Sequence, residues 1–258
     1  MDYKHILFEE TDHIARITLN IPEKRNVLNL EIRYELLDAF RRVAEEDSIK
    51  VLVITGAGKA FCSGGDLGTM EGVTPVAGRV RLKKGQRLIK AMVELEKPII
   101  GAINGVTAGA GVSIALACDI LIASEEAKFV IPFTKLGLVP DWGQFYFLPL
   151  RVGIARAKEL MFMAETIDAR EADRLGLVNR IVPAEKLEEE VLALATRLAR
   201  GPTQAYAMIK AALNRWPASL ESLLELESTM QAVAFASDDF DEGRKAFLEK
   251  RKPMFHGK

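Results

Sequence analysis

Two glycine-crowded stretches are the first residues able to do chemistry: Phe61-Cys62-Ser63-Gly64-Gly65-Asp66 and Asn104-Gly105-Val106-Thr107-Ala108-Gly109-Ala110-Gly111. Each follows an apolar run and leads toward a helical pattern, so backbone N–H groups can be presented with no bulky side chain in the way. A pair of such turns can cradle an oxyanion, and it can equally be two packing turns; spacing alone leaves both readings open. Neither stretch is a nucleotide motif. The third glycine of a dinucleotide fingerprint would fall at Phe61 after Gly56-x-Gly58 and at Ile114 after Gly109-x-Gly111, and a phosphate loop ending at Gly58-Lys59 would need glycine at Val53 and a hydroxyl at Ala60.

The ionisable side chains narrow the chemistry. His5, His13 and His256 are the three histidines and lie near the ends, which leaves a Ser-His-Asp triad or a His-rich metal site without material in the middle of the chain. Cys62 and Cys118 lack metal-ligand spacing, so no metal is expected and a reducing compartment is. Asp141 stands between Pro140 and Trp142. An aspartate after proline ordinarily caps a helix, here one beginning at Trp142. Packing by Phe133, Trp142 and Phe145 would disfavour its charged form and raise its pKa toward a value useful for proton transfer.

Strands alternating with helices have to position these residues. Ile14 to Leu19 and Lys50 to Thr55 read as strands, with a helix between them that starts at the cap Asn29 and buries Leu36, Phe40 and Val43. Met70 to Gly78 reads as an irregular, mobile loop, followed by a helix around Arg81 to Leu95. Pro98 to Ile103, Asp119 to Ala123 and Lys128 to Ile131 read as strands, and Ala110 to Ala117 as a short buried helix. Such alternation requires crossover connections and a largely parallel α/β arrangement. After Pro183 the pattern becomes helical, with Leu187, Val191, Leu194 and Leu198 on one apolar face and Leu223, Leu226, Met230 and Val233 on another. A tail of this kind suits packing on a second subunit.

Composition excludes several classes of function. Of 258 residues 49% are hydrophobic, enough to bury a core without a disulfide or metal staple. The 35 Lys+Arg and 36 Asp+Glu nearly cancel, so nucleic acid is not the expected partner and a small ligand is. The charged start MDYKHILFEETDH is no signal peptide, and a cytoplasmic location is expected. Pro98 to Cys118 carries no charge, but its glycines, Asn104, Thr107 and Ser113 make a poor lipid-facing helix; no membrane partner is expected.

Taken in order with Ala117-Cys118-Asp119-Ile120 and Gly137-Leu138-Val139-Pro140-Asp141, the two turns resemble the enoyl-CoA hydratase/isomerase (crotonase) superfamily. Arg25-Asn26-Val27-Leu28-Asn29, Ala172-x-x-x-Gly176-Leu177-Val178 and Phe247-Leu248-Glu249-Lys250-Arg251-Lys252-Pro253 extend the match over nearly the whole chain. The resemblance implies a spiral of strand-strand-helix units, here 1–195, with a helical region for oligomerisation, 196–258, assembled as a homotrimer or dimer of trimers. It implies that the substrate is an acyl-CoA thioester and that no cofactor is used. It also implies that the N–H groups of Gly65 and Ala110 form an oxyanion hole, that Ser63, Gly65, Asp66 and Leu67 line the adenine end of the CoA site, and that Arg25 and Lys250 contact its phosphates.

The departures point to a reaction. Hydratases of this family use two glutamates, and the corresponding positions here are Ser113, which cannot activate water without a histidine, and Phe133, which cannot do so at all. Several isomerases of the family carry their only acid/base carboxylate at the position of Asp141, and one carboxylate suffices to shuttle a proton between two carbons of an allylic system. Trp142, Phe133 and Phe145 would then wall the acyl pocket, and Gln144, where the family has a small residue, would reshape it or supply a hydrogen bond. The expected activity is an enoyl-CoA isomerase, of the ring-epoxide or double-bond-shifting kind. The alternatives are a hydratase, a dehalogenase whose water-activating histidine has no counterpart here, and an acyl-CoA-binding protein without catalysis.

Overall fold

The computed structural model describes residues 3–215 and 217–257. Its strands are β1 (Ile6–Thr11), β2 (Ile14–Leu19), β3 (Val51–Gly56), β4 (Ala60–Cys62), β5 (Ile99–Ile103), β6 (Val106–Ala108), β7 (Ile120–Ser124), β8 (Lys128–Val130), β9 (Thr166–Asp168) and β10 (Arg180–Val182). Its α-helices are α1 (Leu30–Glu45), α2 (Pro75–Glu94), α3 (Ala110–Ala117), α4 (Gln144–Val152), α5 (Ile154–Met163), α6 (Ala169–Arg174), α7 (Leu187–Ala199), α8 (Thr203–Leu213), α9 (Leu220–Phe235) and α10 (Asp238–Glu249).

The chain winds between two sheets, ordered β1-β2-β3-β5-β7-β10 and β4-β6-β8-β9. Each coil leaves one strand in each sheet: β3 then β4, β5 then β6, β7 then β8. The first two coils return through a helix, α2 and α3, so the expected strand-strand-helix repeat is the organising unit. All pairings are parallel except β1 with β2 and β8 with β9. β3, β5 and β7 read as continuous apolar runs because both of their faces are covered: α1 and α2 belong to the main core, while Val51, Val53, Ile100 and Ile122 bury against Leu187, Val191 and Ala195 of α7. The expected boundary between 195 and 196 therefore falls inside a helix that packs on the sheet. The uncharged stretch 98–118 divides into β5, β6 and α3, and among the described residues no helix is long and apolar enough to cross a membrane.

Two expectations need correction. α2 starts at Pro75, well before Arg81, because the Thr74 hydroxyl accepts from the Ala77 N–H and Pro75 takes the first helical position, where its missing N–H costs nothing. The helix expected to begin at Trp142 begins at Gln144, after two residues with positive φ, Trp142 at 50° and Gly143 at 89°. Asp141 is thus no side-chain cap. In the tail, Leu223, Leu226 and Met230 are half-buried, whereas Val233 is 56% exposed and α9 buries no residue completely.

Candidate active site

β4 and β6 are parallel neighbours, pairing Ala60 with Val106 and Cys62 with Thr107, so the turns that follow them emerge side by side. Gly64 has φ +88°, and a Cβ there would sit 2.7 Å from the Ala108 carbonyl oxygen and 3.1 Å from the Ala110 nitrogen; only glycine lets the two turns approach this closely. The first turn is held by main-chain bonds from Leu28 N to Gly64 O (2.8 Å) and from Ser63 N to Arg25 O (2.9 Å). Two side-chain amides, buried Asn26 and half-buried Asn104, fix the loops beneath. Asn26 Oδ1 accepts from Ile21 N and its Nδ2 donates to the Ala57 and Ala60 carbonyls, while Asn104 Nδ2 donates to Gly58 O.

Ala110 is the first residue of α3, so its N–H is one of those an α-helix leaves without an internal acceptor. The Gly65 N–H has no acceptor among the described residues. Two main-chain donors on abutting turns, one at a helix start, can stabilise negative charge on a carbonyl oxygen.

Asp141 stands beside α3. Its main-chain carbonyl accepts from Ser113 Oγ (3.1 Å) and from Gln144 N (3.1 Å), while its side-chain Oδ1 is buried with no hydrogen-bond partner among the described residues. Burial pushes its pKa up to about 6, against a smaller opposing pull from the positive charges of Arg33 and Arg81. Such a carboxyl is ionised at neutral pH yet basic enough to take a proton from carbon next to a carbonyl whose developing negative charge is stabilised.

The wall around it is only partly the one expected. Trp142 is buried, and its indole lies so tightly on α2 that a Cβ at Gly85 would collide with it. Phe133 is also buried, with its ring tip facing Gly109. Phe145 differs from that expectation: it is 62% exposed on α4, where Trp142 and Phe133 are buried. Gln144 is completely buried. Its Nε2 donates to Gly109 O (2.6 Å) and Ser113 Oγ (2.9 Å), tying the acid's loop to the peptide that presents the Ala110 N–H.

Arg33 was not legible as a site residue. Its Nε donates to Leu28 O (3.0 Å), and its guanidinium lies 5.0 Å from the centre of the Trp142 ring, a cation–π stack. The available signal was its phase: Arg33 falls on the same face of α1 as Leu36 and Phe40, where a cation is out of place. Arg25 and Lys250 are both exposed, on the loop before α1 and at the end of α10, and Leu67 is 53% exposed; Ser63 and Asp66 are half-buried at the rim of the first turn.

A family model described as "Enoyl-CoA hydratase/isomerase" matches residues 9–258. The chain is 41% identical, over the whole of both chains, to a protein of Rhodobacter capsulatus named "Probable enoyl-CoA hydratase". It is 39% identical, over 95% of each chain, to the "1,2-epoxyphenylacetyl-CoA isomerase" of Escherichia coli. Among solved structures, an "Enoyl-CoA hydratase/isomerase" from Cupriavidus metallidurans superposes with a TM-score of 0.95 at 36% identity, covering 100% of this chain and 98% of that one. These names span more than one reaction.

Proposed function

The chain belongs to the enoyl-CoA hydratase/isomerase family, and on that premise we propose that it is an acyl-CoA isomerase with Asp141 as its proton shuttle. The thioester carbonyl accepts hydrogen bonds from the N–H groups of Gly65 and Ala110. The Asp141 carboxylate takes a proton from C2 of a 3-enoyl group; the C2–H electron pair becomes the C1–C2 π bond of an enolate, and the charge rests on the thioester oxygen. The same carboxyl then returns the proton to C4 as the double bond settles between C2 and C3. Atoms and charge balance, and no metal or redox group enters. Rearrangement of a ring epoxide is the other reaction of this proposal.

The observation that carries this reading is the half-buried carboxyl itself, with one oxygen fully buried and unpartnered among the described residues and a raised pKa, set beside two positions that cannot activate water. Ser113 is engaged between Gln144 and the Asp141 carbonyl, and Phe133 is an apolar wall. We assign Ser63, Asp66 and Leu67 to the adenine end of the CoA site, Arg25 and Lys250 to its phosphates, and Phe133 and Trp142 to the acyl pocket. We place the enzyme in the cytoplasm as a homotrimer or dimer of trimers. Free buried thiols at Cys62 and Cys118 suit a reducing compartment, and α9 and α10 leave Leu220, Phe235, Phe247 and Leu248 exposed in the single chain, as faces covered by neighbouring subunits would be.

The test is incubation with a 3-enoyl-CoA in D2O, followed by NMR. The parent forms the 2-enoyl isomer; an Asp141→Asn variant that isomerises as fast removes the shuttle. The name of the Rhodobacter relative favours a second reading, hydration. Rapid 3-hydroxyacyl-CoA formation from a 2-enoyl-CoA would establish it, and tight binding with no turnover on any thioester would leave only a binding protein.

A further inference from the structure

The group that the proposed proton shuttle does not use is Arg33. Charged side chains are seldom buried without a partner, because removing a cation from water is costly unless its donors are satisfied. Arg33 is 8% exposed, and burial holds its guanidinium below the ordinary arginine range. Of its donors, only Nε has an acceptor among the described residues, the Leu28 carbonyl. No ion pair joins it to Asp141, although the two charges attract each other across the site. Its neighbour Arg81 differs: the terminal nitrogens of Arg81 donate to Thr69 Oγ1, Thr69 O and Asp66 O.

The guanidinium is also aimed. Its planar face is fixed by the Trp142 ring and its inner nitrogen by Leu28, whose own N–H donates to Gly64 O. Nη2 lies 3.9 Å from the point where a Cβ on Gly65 would stand. The fork is therefore held between the oxyanion turn and the acid, the space that the proposed function gives to the acyl group.

Charge selects what the fork would hold. Arg33 and Arg81 face Asp141 and Asp66, two positive against two negative groups, so the space is balanced before anything binds. An anionic acyl substituent would leave the balance negative and meet the Asp141 carboxylate; a neutral oxygen would accept from Arg33 at no such cost.

The geometry points to Arg33 as a specificity residue whose terminal nitrogens donate hydrogen bonds to a neutral oxygen of the acyl group, a hydroxyl, carbonyl or epoxide, so that the preferred substrates are oxygen-bearing acyl thioesters and not plain hydrocarbon ones. This rests on the proposed function only for the placement of the acyl group.

The test is equilibrium binding, which needs no turnover. Two saturated series are titrated into the full-length protein: hexanoyl-CoA carrying one hydroxyl or keto oxygen at C4, C5 or C6, and phenylacetyl-CoA carrying one ring hydroxyl, each against its unsubstituted parent. In at least one position the oxygen tightens binding by ~10- to 100-fold, as expected of a hydrogen bond to a charged donor. Arg33→Met abolishes that preference while binding the unsubstituted thioester within about threefold of the parent protein, since uncharged contacts of similar size remain. Arg33→Lys retains a cation but not the fork and loses most of the preference. A gain below tenfold at every position in the unmutated protein overturns the proposal without any variant having to fold, as does a preference that survives in Arg33→Met. Failure of the isomerase reading looks different: no thioester is converted, yet the oxygen preference persists.

Discussion

The two glycine turns and the loop of Asp141 lie against each other and are built on opposite principles. In the turns the held groups are satisfied: Asn26 uses three hydrogen bonds, Leu28 N and Ser63 N are paired, and β4 behind the first turn is fully buried. In the acid loop the chain takes positive φ at Trp142, a strained conformation for a large aromatic residue, and two buried acceptors, Asp141 Oδ1 and Gln144 Oε1, have no partner among the described residues. The difference is what the proposed tasks require. A donor that stabilises charge must be immobile before the charge appears, whereas a carboxyl that takes and returns a proton must not be locked by a hydrogen bond into one protonation state.

The largest effect on this contrast comes from removing the acid. Asp141→Asn lowers kcat/KM by about 10²- to 10⁴-fold in steady-state assays, the range for a positioned general base, and leaves thioester affinity nearly unchanged. Next comes the rigid partner. Gly64→Ala puts a methyl group against Ala108 O and Ala110 N at φ +88°, and it lowers kcat by about 10²- to 10³-fold by misaligning the donors. A variant that keeps full kcat would show that the turns need not be fixed.

The pH dependence sharpens the contrast from the acid's side. With a pKa raised to about 6 and a base required in its ionised form, log kcat/KM falls with unit slope below about pH 6 and is flat above it. The sign for stability is the reverse. The folded carboxyl holds its proton up to about pH 6 while the unfolded one loses it near 3.8, so its contribution is present below about pH 4 and is lost as pH rises to 6. Asp141→Asn escapes that loss, and chemical denaturation above pH 7 should find it more stable than the parent by roughly 2–3 kcal/mol.

Gln144→Ala breaks the link between the two regions. It strips the donor from Gly109 O and Ser113 Oγ, with an expected cost of about 1–3 kcal/mol in denaturant titrations and a fall in kcat that exceeds the change in KM. The smallest effects belong to the rim. Arg25→Ala and Lys250→Ala raise KM by about two- to fivefold, an increment that vanishes at high salt, because exposed charges are worth little and are screened.

The same contrast explains what could be read from the sequence. The turns announce themselves: glycine marks where main chain meets main chain, and the largely apolar, uncharged runs of β3, β5 and α3 read as buried. The second sheet was nearly invisible, since β4, β6 and β9 are three residues each and exist through their pairing. Thr74-Pro75 carried a helix start that the glycines around it concealed. In the acid loop Trp142 takes positive φ and packs against Gly85 of α2, and Arg33 meets that indole only when α1 folds over it. Local pattern encodes the rigid half of the site, and tertiary contact creates the other.

In the proposed reaction one carboxyl carries the proton from C2 to C4. This transfer is tested most directly with a 3-enoyl-CoA deuterated at C2, converted in ordinary water and analysed over the first turnovers. Deuterium at C4 of the 2-enoyl product, lost together with activity in Asp141→Asn, is the predicted result. Product whose C4 carries solvent hydrogen alone from the earliest time point would contradict it.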